Sequence, residues 1–148
     1  MADSSRVLVI AAPLYEDITE QLVAGARAVL DAAGCEVDVV EVPGAFEIPA
    51  AIAMADAGSA PFDGYVALGC VIRGETSHYD YVCGESARGL MDLGLAGVPL
   101  GYGIVTVENI RQARERAHVD RKNKGADAAK ACLAMMALNK RFEANGGE

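Results

Sequence analysis

"GYVALGCVIRGETSHYDYV", residues 64–82, is the stretch from which the fold can be read. Gly64–Ile72 is a continuous apolar, β-branched run, the composition of a strand buried on both faces. It stops at Arg73-Gly74-Glu75-Thr76-Ser77. From Ser77, apolar residues recur at Tyr79, Val82, Cys83, Leu90 and Leu93, and Gly97 and Pro99 close the segment. That spacing is helical. A buried strand feeding directly into a helix is one unit of a parallel sheet.

The same unit repeats on both sides. "RVLVIAAP" (6–13) is a buried strand stopped by Pro13. It is followed by a helix with Ile18, Leu22, Ala26, Val29, Leu30 and Ala33 on one face and Gly34 as terminator. "EVDVVEV" (36–42) alternates as a strand up to Pro43-Gly44, and "AFEIPAAIAMADA" (45–57) reads as a helix with Pro49 in its first turn. "PLGYGIVTV" (99–107) is a fourth strand, and the rest predicts helices over roughly 108–118 and 125–143, joined by the polar "VDRKNKG". Right-handed crossovers then give an α/β protein: a three-layer α/β/α sandwich on a four-stranded parallel sheet, flavodoxin-like. The 148 residues are expected to make one domain, 1–148.

Composition narrows the function. Apolar residues make up 52%, which argues against disorder, and no apolar stretch approaches the ~20 residues of a membrane helix. Met1–Arg6 lacks the basic start and apolar core of a signal peptide, so a soluble, cytoplasmic protein is expected. The net charge of −8 argues against nucleic acid as a partner. Six of the thirteen basic residues (Arg111, Arg114, Arg116, Arg121, Lys122, Lys124) lie within one short segment. That segment is either a small-anion site or a solvated helix face paired with Glu108, Glu115 and Asp120. Cys35, Cys70, Cys83 and Cys132 have neither zinc-knuckle nor redox-pair spacing, and read as buried free thiols.

Ligands of such sheets bind beyond the carboxyl ends of the strands. Those ends are Ala12–Tyr15, Val42–Glu47, Cys70–Ser77 and Thr106. Ser77 and Asp80 have capping-box spacing, so Gly74–Ser77 presents free backbone N–H groups at a helix N-terminus. The segment is a phosphate site or an ordinary capped start. The Glu75 carboxylate is expected to turn away while its N–H binds. His78 falls in the first helical turn, where the dipole favours the neutral imidazole. It is either a general acid–base group or a packing residue. Phe46 could carry a flat heterocycle or act as a hydrophobic staple, and Tyr102 could be strand core or an aromatic wall. His118, at a polar helix end, is expected on the surface.

"VPGAFEIP" (42–49), "LGCVIRGETSHYDYV" (68–82), "GIVTVENIRQARERA" (103–117) and "NKGADAA" (123–129), in this order, resemble the lumazine synthase family (6,7-dimethyl-8-ribityllumazine synthases) from about Val7 to Phe142. The resemblance implies condensation of 5-amino-6-(D-ribitylamino)uracil with 3,4-dihydroxy-2-butanone 4-phosphate, the penultimate step of riboflavin biosynthesis. It implies no metal and no organic cofactor. His78 matches the proton-transferring histidine of the family, Glu75 and Thr76 the backbone phosphate contact, and Arg116 the arginine that clamps the phosphate. Lys124 matches the lysine of the family's "NKG" segment. Ala45, Phe46, Glu47, Cys70, Val71 and Ile72 match positions contacting the ribitylaminouracil, Tyr102 matches a position the family usually fills with phenylalanine, and Leu14, beside Tyr15, stands at the ring-stacking position of that substrate site.

In the family the matching arginine reaches a neighbouring subunit's site, which implies a homo-oligomer built on pentamers. The short N-terminus has little strand to lend a neighbour, so the pentamer is expected rather than a cage. Hand-over of product to riboflavin synthase is a further implied partnership. The chain departs from the family at Leu14, where a ring-stacking aromatic is common, at Cys70, where threonine is usual, and in "AHVDRKNKG", which lacks the usual glycines. Losing the stack costs on the order of 1 kcal/mol unless Tyr15 turns in to replace it. A flavin- or lumazine-binding relative without efficient turnover is the alternative. A flavodoxin or receiver domain is disfavoured, because "APLYED" is no Ser/Thr-rich phosphate loop and the third strand ends in Gly69-Cys70 without a phosphorylatable aspartate.

Overall fold

The computed structural model describes residues 4–146. Its order is β1 (Arg6–Ala11), α1 (Glu16–Ala32), β2 (Glu36–Glu41), a 3-10 turn (Ala45–Glu47), α2 (Ile48–Asp56), β3 (Gly64–Ile72), α3 (His78–Leu95), β4 (Leu100–Val107), α4 (Ile110–Ala117) and α5 (Lys124–Gly146). All strand pairs are parallel, in the order β2-β1-β3-β4, with Val9 opposite Val39 and Val66, and Cys70 opposite Val105. The expected α/β sheet with helices on both faces is the fold found.

Period-2 alternation sorts the core into two layers. Val7 and Val9 of β1 pack with Val66 and Leu68 of β3 against Ile18, Leu22, Ala26 and Leu30 of α1, and against α4 and α5. Leu8 and Ile10 pack on the other face with Tyr65 and Ala67 against Ile48 and Ile52 of α2 and Val82 and Leu90 of α3. The central strands β1 and β3 are buried nearly throughout, whereas edge strand β2 is largely exposed.

Glycines permit several close approaches between elements. A Cβ on Gly125 would meet the Leu22 carbonyl of α1, one on Gly101 would meet the Ala128 carbonyl of α5, and one on Gly89 would lie 2.8 Å from Pro49 Cβ of α2. Gly34 ends α1 with φ +80°, the left-handed stop expected of it. The helix expected over 45–57 is split, with a tight 3-10 turn ahead of α2 and Pro49 in its first turn. Among the described residues no helix is long and apolar enough to cross a membrane. The four thiols are unpaired; Cys70 and Cys132 are buried, while Cys35 and Cys83 are only half-buried.

Two helix starts differ in an instructive way. The expected capping box at Ser77 and Asp80 does not form: Ser77 is itself helical (φ −73°, ψ 0°) and its side chain caps nothing. Asp80 instead lies 3.5 Å from Arg73. At α4, Asn109 is extended (φ −153°, ψ 168°) and accepts from Gln112 N at 2.9 Å. The Gln112 side chain in turn accepts from Glu108 N at 2.7 Å. Extended backbone at the cap is what lets the side chain reach back.

Candidate active site

A cleft of about 520 Å3 opens where β1 and β3, and the turn after β2, run out towards α3. Each wall follows from a strand ending. After β1, the Ala12 carbonyl accepts from Thr19 Oγ1 at 3.3 Å, and Leu14 and Tyr15 turn into α1. Leu14 is 68% exposed at the cleft wall. After β2, the 3-10 turn buries Ala45 and leaves Phe46 54% exposed over the cleft, beside Glu47. The end of β3 contributes Cys70, Val71 and Ile72, and the segment beyond it Gly74, Thr76 and His78. Ten of the candidate residues thus meet in one place: Leu14, Tyr15, Ala45, Phe46, Glu47, Cys70, Val71, Ile72, Thr76 and His78.

The segment between β3 and α3 leaves a run of backbone amides uncommitted. Arg73 N donates to the Val107 carbonyl at 2.9 Å, continuing the β3–β4 ladder by one bond. The next four backbone amides, Gly74 to Ser77, donate to no protein acceptor among the described residues. A Cβ on Gly74 would meet nothing within 4 Å, so the approach is open. His78 N donates to Thr76 Oγ1 at 3.3 Å, which makes Thr76 the residue that caps α3. His78 is exposed at the cleft, one residue inside the helix. The Cys70 thiol is pushed up to about 12 by burial, with Asp17 adding to the effect, so it lines the cleft as a neutral group.

Four candidates lie elsewhere. Glu75 does not line the cleft, although its neighbours do. Tyr102 is on edge strand β4, 44% exposed, and its phenol is raised by burial and then by Cys83 and Tyr79. Arg116 is on α4, whose Ala113 and Ala117 pack on the α1–α5 side of the sheet, and it donates to the Gln112 carbonyl of its own helix at 3.2 Å. Lys124 opens α5, 3.6 Å from Asp127. Among the described residues no lysine or arginine lines the cleft. His118 is on the surface as expected, its Nδ1 accepting from Asp120 N at 3.1 Å.

Sequence reading passed over Tyr79 and Val82 as cleft residues. In the sequence they belong to the apolar face of α3, and their spacing from Thr76 and His78 is the signal that places them at the cleft. It also passed over Arg73, which bridges to Glu108, the residue just after β4, at 2.7 Å. The β3–β4 register places the two side by side, but register follows only from the folded sheet.

The comparisons agree on one family. The profile of the 6,7-dimethyl-8-ribityllumazine synthase family matches residues 4–140. A 6,7-dimethyl-8-ribityllumazine synthase of Methylorubrum extorquens (strain PA1) is 57% identical over 141 residues, 92% of this chain and 82% of that protein. The synthase of Novosphingobium aromaticivorans is 54% identical over 93% of this chain and 99% of its own length. That of Erythrobacter litoralis is 53% identical over 95% and 99%.

Proposed function

The chain belongs to the 6,7-dimethyl-8-ribityllumazine synthase family, and we propose that the cleft at the ends of β1, β2 and β3 is where its reaction takes place. The protein condenses 5-amino-6-(D-ribitylamino)uracil with 3,4-dihydroxy-2-butanone 4-phosphate to 6,7-dimethyl-8-ribityllumazine, releasing phosphate and water in riboflavin biosynthesis. Identity above 50% to synthases does not favour the reading as a mere flavin or lumazine binder.

The observation that carries the site is the run of four free amides, Gly74 to Ser77, ending at His78 on the rim of an apolar cleft. The amides of Gly74, Glu75 and Thr76 receive the phosphate at the positive end of α3. The uracil lies over Phe46, with Leu14, Tyr15, Ala45, Glu47, Cys70, Val71 and Ile72 about it. His78 takes the proton from the attacking amine and returns one as phosphate and water depart. Aligning both substrates on one rigid platform supplies much of the rate.

Among the described residues no lysine or arginine lines this cleft, and Arg116 and Tyr102 lie outside its lining. Both therefore act in the cleft of an adjacent copy, with Lys124, and the working unit is a homo-oligomer built on pentamers. Support comes from the apolar side chains left open on several elements, among them Met54, Tyr81, Met91, Leu95, Leu138 and Phe142. In the cytoplasm the product passes on to riboflavin synthase.

The test is subunit mixing. His78→Asn and Arg116→Ala chains, each impaired alone, are unfolded together and reassembled. Shared sites predict recovered lumazine formation, because some clefts then pair an intact His78 with an intact Arg116. A mixture no more active than its components would contradict a site shared between subunits.

A further inference from the structure

We propose that Arg73 is a positioning residue for the reaction: it fixes the amide-bearing segment and the start of α3 against the sheet, and neutralises the acidic groups around them. The proposal rests on the reading of the strand-end cleft given above. Arg73 does not line that cleft. Its guanidinium instead meets three side chains, one just past β4 and two in the first turn of α3. Nε donates to Glu108 Oε2 at the end of β4 at 2.7 Å, and a terminal nitrogen lies 3.5 Å from Asp80 Oδ1 in the first turn of α3. The plane sits 4.3 Å from the centre of the Tyr79 ring, which does line the cleft.

This arrangement matters because little else holds the segment. Residues 73–78 are exposed, and the four amides from Gly74 to Ser77 have no protein acceptor among the described residues. Apart from the local Thr76–His78 bond, the side-chain ties of this segment to the rest of the chain are those of Arg73. Two surface ion pairs add little to global stability. Position is another matter, since a displacement of about 1 Å at a reacting group can cost on the order of a hundredfold in rate. The ring stack and the two-carboxylate fork need a planar guanidinium, which a lysine ammonium does not reproduce.

Charge gives the second half of the argument. Glu75, Asp80 and Glu108 put three carboxylates near amides that are to hold a phosphate. Arg73 offsets two of them while leaving the amides free. Without it, the phosphate-bearing substrate meets uncompensated negative charge, whereas the uncharged uracil substrate is affected far less.

The experiment compares Arg73→Met, Arg73→Lys and Glu108→Gln with the wild-type chain, by full steady-state kinetics on each substrate and by thermal unfolding. We expect Arg73→Met to raise the KM for the butanone phosphate about tenfold and to lower kcat several-fold, with the KM for the uracil little changed. Arg73→Lys should restore the KM more than kcat, because it returns the charge without the fork. Glu108→Gln should reproduce part of the kcat loss. Wild-type constants in Arg73→Met, or losses matched by the fraction of protein unfolded, would overturn the proposal. His78→Asn, assayed alongside, separates the two ideas. If His78→Asn is crippled and Arg73→Met is not, the cleft stands and Arg73 has no part in it; if His78→Asn is fully active, the cleft reading falls and the proposal with it.

Discussion

The backbone N–H of His78 donates to the side-chain oxygen of Thr76 at 3.3 Å, so the helix that carries the histidine is capped from two residues upstream. One threonine thereby sets the start of α3 and leaves its own amide, with those of Gly74, Glu75 and Ser77, free for a ligand. Replacing it with an isosteric valine removes the acceptor but keeps the shape. Thr76→Val should destabilise the chain by about 1 kcal/mol, a fall of roughly 2–4 °C in Tm, while Thr76→Ser stays near wild type. Equal losses in both variants would assign the effect to packing.

Gly101 faces α5 at the closest approach between that helix and β4, where an added Cβ would meet the Ala128 carbonyl. Gly101→Ala should therefore cost about 1–3 kcal/mol through a forced shift of α5. Gly74→Ala, in open space, should leave unfolding by denaturant nearly unchanged.

Stability should fall at alkaline pH. Burial pushes the Cys70 and Cys132 thiols from 9.0 to about 12, and the Tyr65 phenol, hydrogen-bonded to Asp56, from 10.0 to about 12. The unfolded chain therefore loses these protons first as pH rises. Their contribution is whole below pH 9 and is lost progressively towards pH 12. Urea unfolding across that range should show a falling free energy, with a shallower slope in Cys132→Ala. An unchanged slope would remove the thiol as its cause.

Leu14 offers the clearest route to a better enzyme. It is open at the cleft wall and carries no ring. Leu14→Phe should add a stacking partner worth about 1 kcal/mol, seen as a roughly fivefold lower KM for the uracil and an unchanged KM for the butanone phosphate. Equal shifts in both would indicate a change in cleft shape instead.

The sheet was readable because Val7–Ala11 and Gly64–Ile72 are uninterrupted apolar runs, which only strands covered on both faces produce. The cleft was readable because the unusual residues collect where those runs stop. Local chemistry misled at Ser77, where the spacing of a capping box was present but the backbone was helical and Asp80 was drawn to Arg73. Arg73 itself was hidden, because its partner Glu108 is distant in sequence and adjacent only through the β3–β4 register. Arg116 and Lys124 were legible only as part of a basic segment and Tyr102 only as a strand aromatic; their specific roles came from family resemblance, and no spacing within the sequence places them near the cleft.

The central claim is that the strand-end cleft works through His78, and its most direct test is steady-state lumazine formation by wild-type and His78→Asn protein under identical conditions. The account predicts turnover well above the uncatalysed rate for the wild type. It predicts a fall in kcat of roughly a hundredfold in the variant, with both KM values held within a few-fold. A His78→Asn enzyme that keeps the wild-type kcat would contradict it.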